Sequence, residues 1–236
     1  MRIAAIETAT EWCSVALWQG GEIASLETRA GNRHAERVLP MVEQLLARAG
    51  WEVAQLDGLA FGAGPGSFTG LRIGCGVVQG IAYARDLPVL GVSTLEAMAE
   101  ESGVSRVIVA LDARMGEVYY SAYEHSEHRW IEMIAPKCVA PERVPRPPGT
   151  GWTGCGNGFA VYGAALKTAL HGALRSAVPQ VRPSAAAVAR LAAPRLAAGE
   201  GMDAAFAAPV YLRDKVALTT DEQQRLKRKS DPGGSR

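Results

Sequence analysis

The order of predicted elements in the first part of the chain constrains the fold more than any other feature. Three β-rich runs come first, at residues 2–7, 13–18 and 22–28, with a Gly20-Gly21 turn before the third. Short β-rich runs joined by turns are typical of an antiparallel meander. From residue 33 to residue 49 the apolar residues recur with helical spacing, and Gly50 follows as a stop signal. The pattern therefore changes from a meander to alternating helices and strands.

This alternation continues to about residue 104. The sequence predicts a strand at residues 56–61, a glycine-rich loop at 62–70, a helix at 71–85, a strand at 89–92 and a short helix from Ser93. A meander followed by such alternation favours a mixed sheet flanked by helices. We predict that residues 1–104 form the first of two lobes.

A smaller second lobe is predicted at residues 105–218. It contains β-rich runs at 106–112, 118–123 and 130–134, a proline-rich connection at 141–149, and helices at 159–171 and 184–198. With 236 residues, of which 48% are hydrophobic, the chain is large enough for two cores. For the polar tail at 219–236 we predict disorder, and its basic run at 225–229 leaves open a nucleic-acid-binding arm.

Composition argues against several classes of protein. The 25 basic and 24 acidic residues nearly cancel, so the overall charge does not demand a nucleic acid partner. No apolar run approaches the roughly 20 residues of a membrane helix, and the opening residues do not resemble a signal peptide. The four cysteines are widely spaced, which favours a reducing compartment. We expect a cytoplasmic protein without a membrane partner.

The glycine-rich loop at 62–70 is the strongest local motif. It precedes a predicted helix, whose free N–H groups and dipole attract anions, but it lacks the spacing of a P-loop. Two interpretations are open: a phosphate-proximal loop, or a tight turn with glycines at positive φ and a hydroxyl capping the helix. Together with the turn after the first strand, the loop contributes the candidate nucleotide-proximal or phosphate-proximal residues Glu7, Thr8, Thr10, Gly64, Gly66, Ser67 and Thr69.

Small residues recur along one side of the second predicted helix. Gly76, Gly80 and Ala84 are spaced by four residues, so they lie on one strip. A glycine inside a helix costs about 1 kcal/mol relative to alanine, so the strip suggests close approach of another helix. Both a core contact and a partner surface are consistent with it.

Motifs of catalysis and metal binding are missing from the sequence. The four histidines form neither HExxH nor an i, i+4 pair, and GxSxG does not occur. His34 is predicted to be a surface or capping residue and Cys75 an inert buried thiol. For Asp112 and Arg114 the spacing favours a contact across a turn over a metal-binding carboxylate. We predict no catalytic residue and no metal ligand.

Four blocks of sequence, in order and spread over most of the chain, resemble the TsaB family. They are AGPGSFTGLRIG at 63–74, GVSTL at 91–95, DARMGEVY at 112–119 and PVYLR at 209–213. The opening IETAT and CSVAL resemble the first hairpin of the actin, hexokinase and Hsp70-like ATPase fold. The resemblance implies an α/β, two-lobed fold of this class (ASKHA), with mixed sheets flanked by helices. It also implies a role in forming N6-threonylcarbamoyladenosine (t6A) at position 37 of tRNAs that read codons beginning with A.

The resemblance further implies that the chain is not the catalyst. TsaB is similar to the catalytic TsaD, but Thr94 and Met98 stand where TsaD-like proteins have two metal-binding histidines. Neither side chain replaces an imidazole in a site for iron or zinc. Glu7 replaces the aspartate that ATPases of this fold usually have. We therefore expect a noncatalytic subunit without its own cofactor, with ATP, ADP or Mg²⁺ involved only in the assembled complex.

Partners are implied in the same way. They are TsaD, bound as a heterodimer through helices of the first lobe, the ATPase TsaE, and tRNA through the complex, with a homodimer expected for the chain alone. On helices 33–49 and 71–85 the candidate contact residues are His34, Val38, Met41, Val42, Leu45, Arg72, Gly76, Gly80 and Tyr83. Two other functions stay open, a metalloprotease and a small-molecule kinase of the same fold.

Overall fold

Two five-stranded mixed sheets form the frame of the chain. A computed structural model describes residues 1–127 and 129–213; the predicted tail at 219–236 lies outside these residues. The first sheet contains β1 Arg2–Glu7, β2 Trp12–Gln19, β3 Glu22–Arg29, β4 Gly58–Gly64 and β5 Val89–Ser93. The second contains β6 Arg106–Asp112, β7 Val118–Ser126, β8 Arg129–Val139, β9 Trp152–Cys155 and β10 Leu174–Val178.

The two sheets have the same topology. The first has the strand order β3-β2-β1-β4-β5, and the second has the corresponding order β8-β7-β6-β9-β10. In each sheet the first three strands are antiparallel, and the fourth and fifth continue parallel to the first. These two mixed sheets confirm the predicted fold class. They also show a structural duplication that residue patterns alone do not establish.

Six helices cover the sheets in the described part of the chain. They are α1 His34–Ala49, α2 Phe68–Tyr83, α3 Thr94–Glu101, α4 Gly158–Val161, α5 Gly163–Ala169 and α6 Ala185–Ala197. None of these is long and apolar enough to span a membrane. Helices α1 and α2 cover one face of the first sheet, where Val38, Val42 and Val78 pack against β-strand residues such as Ile6 and Phe61.

Helix α6 packs on the sheet of the other lobe, and α3 packs between the two sheets. Although α6 follows the second sheet, its alanines pack against Ile3, Ala5 and Leu90 of the first sheet. Helix α3 follows the first sheet, and its Ala97 packs against that sheet while its Leu95 and Met98 pack against the second. The division into lobes at about residue 105 stays a prediction, but α6, which lies in the range of the second lobe, packs on the first sheet. The small alanine side chains of α6 let the helix lie close to a sheet, but nothing in the local sequence indicates which of the two sheets it covers.

Candidate functional site

A cleft separates the carboxyl ends of β1 and β6. It encloses about 300 Å³, and both the β1–β2 and β6–β7 turns contribute to its walls. Its polar lining comes from Thr10, Glu11, Asn32, Ser67, Asp112, Arg114 and Asn157, among others. Residues from both lobes therefore face one cavity, and ligand pockets are common at such interfaces between domains.

Glu7 does not face this cavity. Its side chain is buried, with Oε1 accepting the Ala9 N–H at 2.6 Å and Oε2 accepting the Thr94 hydroxyl at 3.4 Å. Burial raises the pKa of the Glu7 carboxyl to about 7, although the hydrogen bonds from Ala9 and Thr94 oppose this shift. A carboxyl that is buried and bonded in this way is not positioned to hold hydrated Mg²⁺ in the cleft.

The glycine-rich loop packs directly on the β1–β2 turn. The Ser67 N–H donates to the Ala9 carbonyl at 2.7 Å, and the Thr8 hydroxyl donates to the Gly70 carbonyl at 2.8 Å. A Cβ atom on Gly66 would lie 2.5 Å from the Ala9 oxygen, and one on Gly70 would lie 2.0 Å from the Thr8 oxygen. The glycines are therefore required for close packing between the loop and the turn.

These contacts favour the tight-turn interpretation over the anion site. The Ser67 N–H is already bonded, and the Gly70 N–H donates to the Ser67 hydroxyl, which caps α2. Gly64 has a φ of 111°, the positive value that the tight-turn interpretation predicts. Of the seven candidate phosphate-proximal residues, only Thr10, Gly66 and Ser67 line the cleft. Glu7 and Thr8 are buried beneath it.

Asp112 connects several residues in the second-lobe wall of the cleft. Its Oδ1 accepts the Arg114 N–H at 2.9 Å and the Tyr162 hydroxyl at 3.2 Å, and its Oδ2 lies 3.2 Å from Arg114 Nη1. The Asn157 side chain accepts the Asp112 N–H at 2.8 Å. The predicted contact across the turn is present. Sequence reasoning missed Asn157 and Tyr162; the local signal near them is a short run of alternating glycines at 154, 156 and 158.

The positions of the two missing histidines lie in the interior. Thr94 and Met98 have no exposed surface, and Met98 packs in the core beside Val109 and Cys155. Within residues 1–127 and 129–213, no group of three or more His, Cys, Asp or Glu side chains is placed to hold a metal ion. The Thr94 hydroxyl instead donates a hydrogen bond to the buried Glu7 carboxyl group.

The predicted contact residues of α1 and those of α2 differ in burial. The predicted α1 residues, His34, Val38, Met41, Val42 and Leu45, are buried in the core of the first lobe. His34 was predicted at the surface, but its Nε2 lies 3.3 Å from the Trp12 carbonyl. The first sheet covers the apolar face of α1 that helical periodicity identifies, so these five side chains face inward in the described chain, and their contact with a partner stays a prediction.

The predicted α2 residues lie on the outside. Arg72, Gly76, Gly80 and Tyr83 are exposed, and Tyr83 keeps 79% of its surface. The first three line an apolar groove between α1 and α2, together with Ala35, Leu39, Ile73, Val77 and Ile81. A Cβ atom on Gly76 or Gly80 would meet no atom within 4 Å. Neither glycine is required by packing within the described chain.

Similarity to curated proteins extends over almost the whole chain. It is 38% identical to "tRNA threonylcarbamoyladenosine biosynthesis protein TsaB" of Escherichia coli (strain K12), covering 92% of this chain and 96% of the relative. The protein of the same name from Haemophilus influenzae is 35% identical, with 92% and 95% covered. The chain belongs to the TsaB family. A family model described as "TsaD: tRNA N6-adenosine threonylcarbamoyltransferase" also matches residues 28–220 of this TsaB-family chain.

Solved structures agree with this assignment. The solved structure described as "YeaZ from Pseudomonas aeruginosa" is 39% identical and has a TM-score of 0.82, covering 89% of this chain and 99% of that one. A second P. aeruginosa structure, described as an uncharacterized protein with similarity to peptidase YeaZ, has a TM-score of 0.83 at 39% identity, with 90% and 99% covered. The family resemblance carried by the four sequence blocks is confirmed.

Proposed function

We propose that this chain is a noncatalytic subunit of the cytoplasmic assembly that forms t6A at position 37 of tRNA. The curated relatives are named for threonylcarbamoyladenosine biosynthesis, which supports the pathway. The noncatalytic role is supported by the interior placement of Glu7, Thr94 and Met98, none of which reaches the cleft. In this proposal the transfer is performed by a TsaD-type subunit, and the TsaB-family chain activates it as a scaffold.

The groove between α1 and α2 is the proposed contact surface for TsaD. The observation that carries this proposal is the open space above Gly76 and Gly80. Each glycine costs the helix about 1 kcal/mol relative to alanine, and no neighbour in the described chain explains that cost. A helix of another subunit that packs closely against α2 does explain it.

The chemistry of the groove suits such a helix. Leu39 is 46% exposed, and Ile73, Val77 and Ile81 are half-buried, so the surface is apolar. An amphipathic helix that covers these side chains removes their apolar area from water, which favours association. We propose that a second copy occupies this groove when the chain is alone. TsaE and tRNA are then engaged through the assembled complex.

Reconstitution tests the proposed role. TsaD, TsaE, the enzyme that makes the threonylcarbamoyl adenylate, ATP and unmodified tRNA are incubated with and without this chain, and t6A is quantified by mass spectrometry. We expect product only when the chain is present, and none from the chain alone. Equal product without it would refute the role as a required subunit.

The two rival functions have their own readouts. A small-molecule kinase would transfer phosphate from ATP to a sugar or an acid with the isolated chain, and a metalloprotease would cleave casein in a chelator-sensitive way. We expect neither activity above that of a buffer control. Either activity, together with t6A synthesis that does not need the chain, would replace the scaffold proposal.

Leucine substitutions test the contact surface. Gly76→Leu with Gly80→Leu fills the groove and should weaken binding to TsaD at least about tenfold, equivalent to about 1.4 kcal/mol, in calorimetry. The melting temperature should not fall, since both positions are open and leucine favours helix. The matched control is Gln44→Leu, which adds leucine at an exposed α1 position outside the groove. Unchanged binding of the double variant would rule out this surface.

A further inference from the structure

The segment at residues 207–213 leaves the first lobe along α2. The Gln79 amide donates to the Ala204 carbonyl at 3.2 Å and to the Ala207 carbonyl at 2.9 Å. Further on, the Val210 N–H donates to the Ala63 carbonyl at the end of β4, at 2.7 Å. The start of the segment is thus attached to both a helix and a strand of the first lobe.

An aromatic and guanidinium stack holds the middle of the segment. The Arg72 Nε donates to the Tyr211 hydroxyl at 3.0 Å, and its guanidinium lies 3.9 Å from the centre of the Phe68 ring. The Phe68 and Tyr211 rings are 5.4 Å apart. Contacts of this kind are favourable and directional, so they fix Tyr211 against the beginning of α2.

The far end of the segment binds the second lobe. Arg213 Nη1 donates to the Ala113 carbonyl at 3.0 Å, and Nη2 donates to the Arg114 carbonyl at 3.4 Å. The same guanidinium pairs with the Glu117 carboxylate, and the Arg213 side chain is only 16% exposed. Arg213 therefore binds three residues of the β6–β7 turn. Its hydrogen bonds are partly buried, and those of a charged guanidinium are stronger than neutral ones.

The backbone conformation of the β6–β7 turn is intrinsically unfavourable. Arg114 and Met115 have φ values of 62° and 57°, and Gly116 follows at 77°. Non-glycine residues are disfavoured in the left-handed region, because Cβ comes too close to the following carbonyl oxygen. Asp112 and Arg213 supply the contacts that hold this conformation. The shape of one cleft wall thus depends on a residue attached to the opposite lobe.

The other end of the cleft is held by a second arginine. Arg182, on the connection from β10 to α6, makes two hydrogen bonds to the Glu27 carboxylate, at 2.8 and 2.6 Å. Its guanidinium lies 4.0 Å from the centre of the Trp12 ring. The lobes are therefore joined at both ends of the cleft, at Arg182 and at Arg213.

We propose that residues 207–213 form an interlobe latch that fixes the width of the cleft. With the latch in place the two lobes move as one body instead of opening and closing around a ligand. This inference does not depend on the proposed role in t6A synthesis, because it rests on contacts within the chain.

Distance measurements between the lobes test the latch. Spin labels are attached through unnatural amino acids at Glu22 and Glu142, which are exposed residues of the first and second lobe. The four native cysteines stay in place, and labelled chain is diluted with unlabelled chain to remove distances between copies. We expect one narrow distance population in the parent protein, and a broader one with longer distances in Arg213→Ala.

Two further variants make the result decisive. Glu117→Gln removes the charged partner of Arg213 on the other lobe and should broaden the distribution in the same direction, to a smaller extent. Arg175→Ala, at an exposed arginine of β10, should leave it unchanged. Circular dichroism confirms that each variant is folded. A narrow distribution in both latch variants overturns the proposal, and so does equal broadening in the control.

Discussion

The two sheets share a strand order but carry very different outer layers. Two helices of 16 residues each, α1 and α2, cover the first sheet. The corresponding surface of the second sheet has helices of four and seven residues, α4 and α5, beside the proline-rich connection. The longer helices do more than cover their sheet, since they leave an apolar groove on the outside. This groove is the surface proposed above to bind a partner, and it lies on the first lobe.

Each lobe contains glycines that pack closely against its first strand or the turn after it. In the first lobe Gly66 and Gly70 pack on the turn after β1, and in the second lobe Gly156 and Gly158 pack on the Ala110 carbonyl of β6. Both clusters follow the fourth strand of their sheet, and both allow a loop to approach the first strand. Gly76 and Gly80 on α2 serve no such contact, so they form a separate class.

The largest expected effect separates these two classes of glycine. Gly70→Ala and Gly156→Ala should each lower the free energy of unfolding by at least about 3 kcal/mol, because the new methyl group would meet a backbone oxygen within 2.4 Å. Gly76→Ala should raise it by about 0.5–1 kcal/mol. Urea unfolding measures all three. A loss at Gly76 similar to that at Gly70 would contradict the distinction.

The next effect concerns the carboxyl groups that end the first strand of each sheet. Glu7 has its pKa raised from 4.5 to about 7 by burial, so the folded state binds its proton more tightly than the unfolded state. Stability due to Glu7 is therefore present below pH 4.5 and is lost as the pH rises to about 7. Glu7→Gln should be close to neutral at pH 4 and should stabilise at pH 8 by up to about 3 kcal/mol.

Unfolding of both proteins at several pH values measures this difference. The matched control is Asp112→Asn in the second lobe. It should show no such gain at pH 8, because the Asp112 carboxylate is paired with Arg114. A difference between Glu7→Gln and the parent that is constant from pH 4 to pH 8 would show that Glu7 does not titrate in this range.

The smallest effect concerns helix caps. Ser67 and Ser184 cap α2 and α6, whereas α4 and α5 have no side-chain cap. Ser67→Ala should lower the free energy of unfolding by about 1 kcal/mol. Ser184→Ala should cost somewhat more, since Ser184 also donates to Glu101 of α3 at 2.7 Å. Restoration by Ser67→Asp, but not by Ser67→Val, would identify capping as the cause.

Local periodicity was sufficient to predict most elements. The predicted helix at 33–49 agrees with α1, and the helix predicted at 71–85 begins three residues earlier in α2 because Ser67 caps it through Gly70. The strand predicted at 130–134 extends over Arg129–Val139 in β8. Its second half contains a proline, which argues against a strand except at the edge of a sheet, where β8 lies.

The site was harder to predict, because its features depend on contacts distant in sequence. Helical periodicity identified the apolar face of α1, but it does not say whether a sheet or a partner covers that face. Likewise, glycines that approach Thr8 and Ala9 look in sequence like glycines that approach a phosphate. Arg213 was recognised only as part of a family motif, since its acceptors lie about a hundred residues earlier.

The packing of α6 on the first sheet affects how the first lobe folds during synthesis. The first sheet is complete at Ser93, but α6, which covers its face with Ile3 and Leu90, begins about 90 residues later, at Ala185. At a rate of protein synthesis of about 5–20 residues per second, α6 is made roughly 5–18 s after the sheet, and that face stays uncovered in the meantime. During synthesis, the first sheet therefore exposes an apolar surface that a chaperone can bind, and this surface is covered only after α6 has been made.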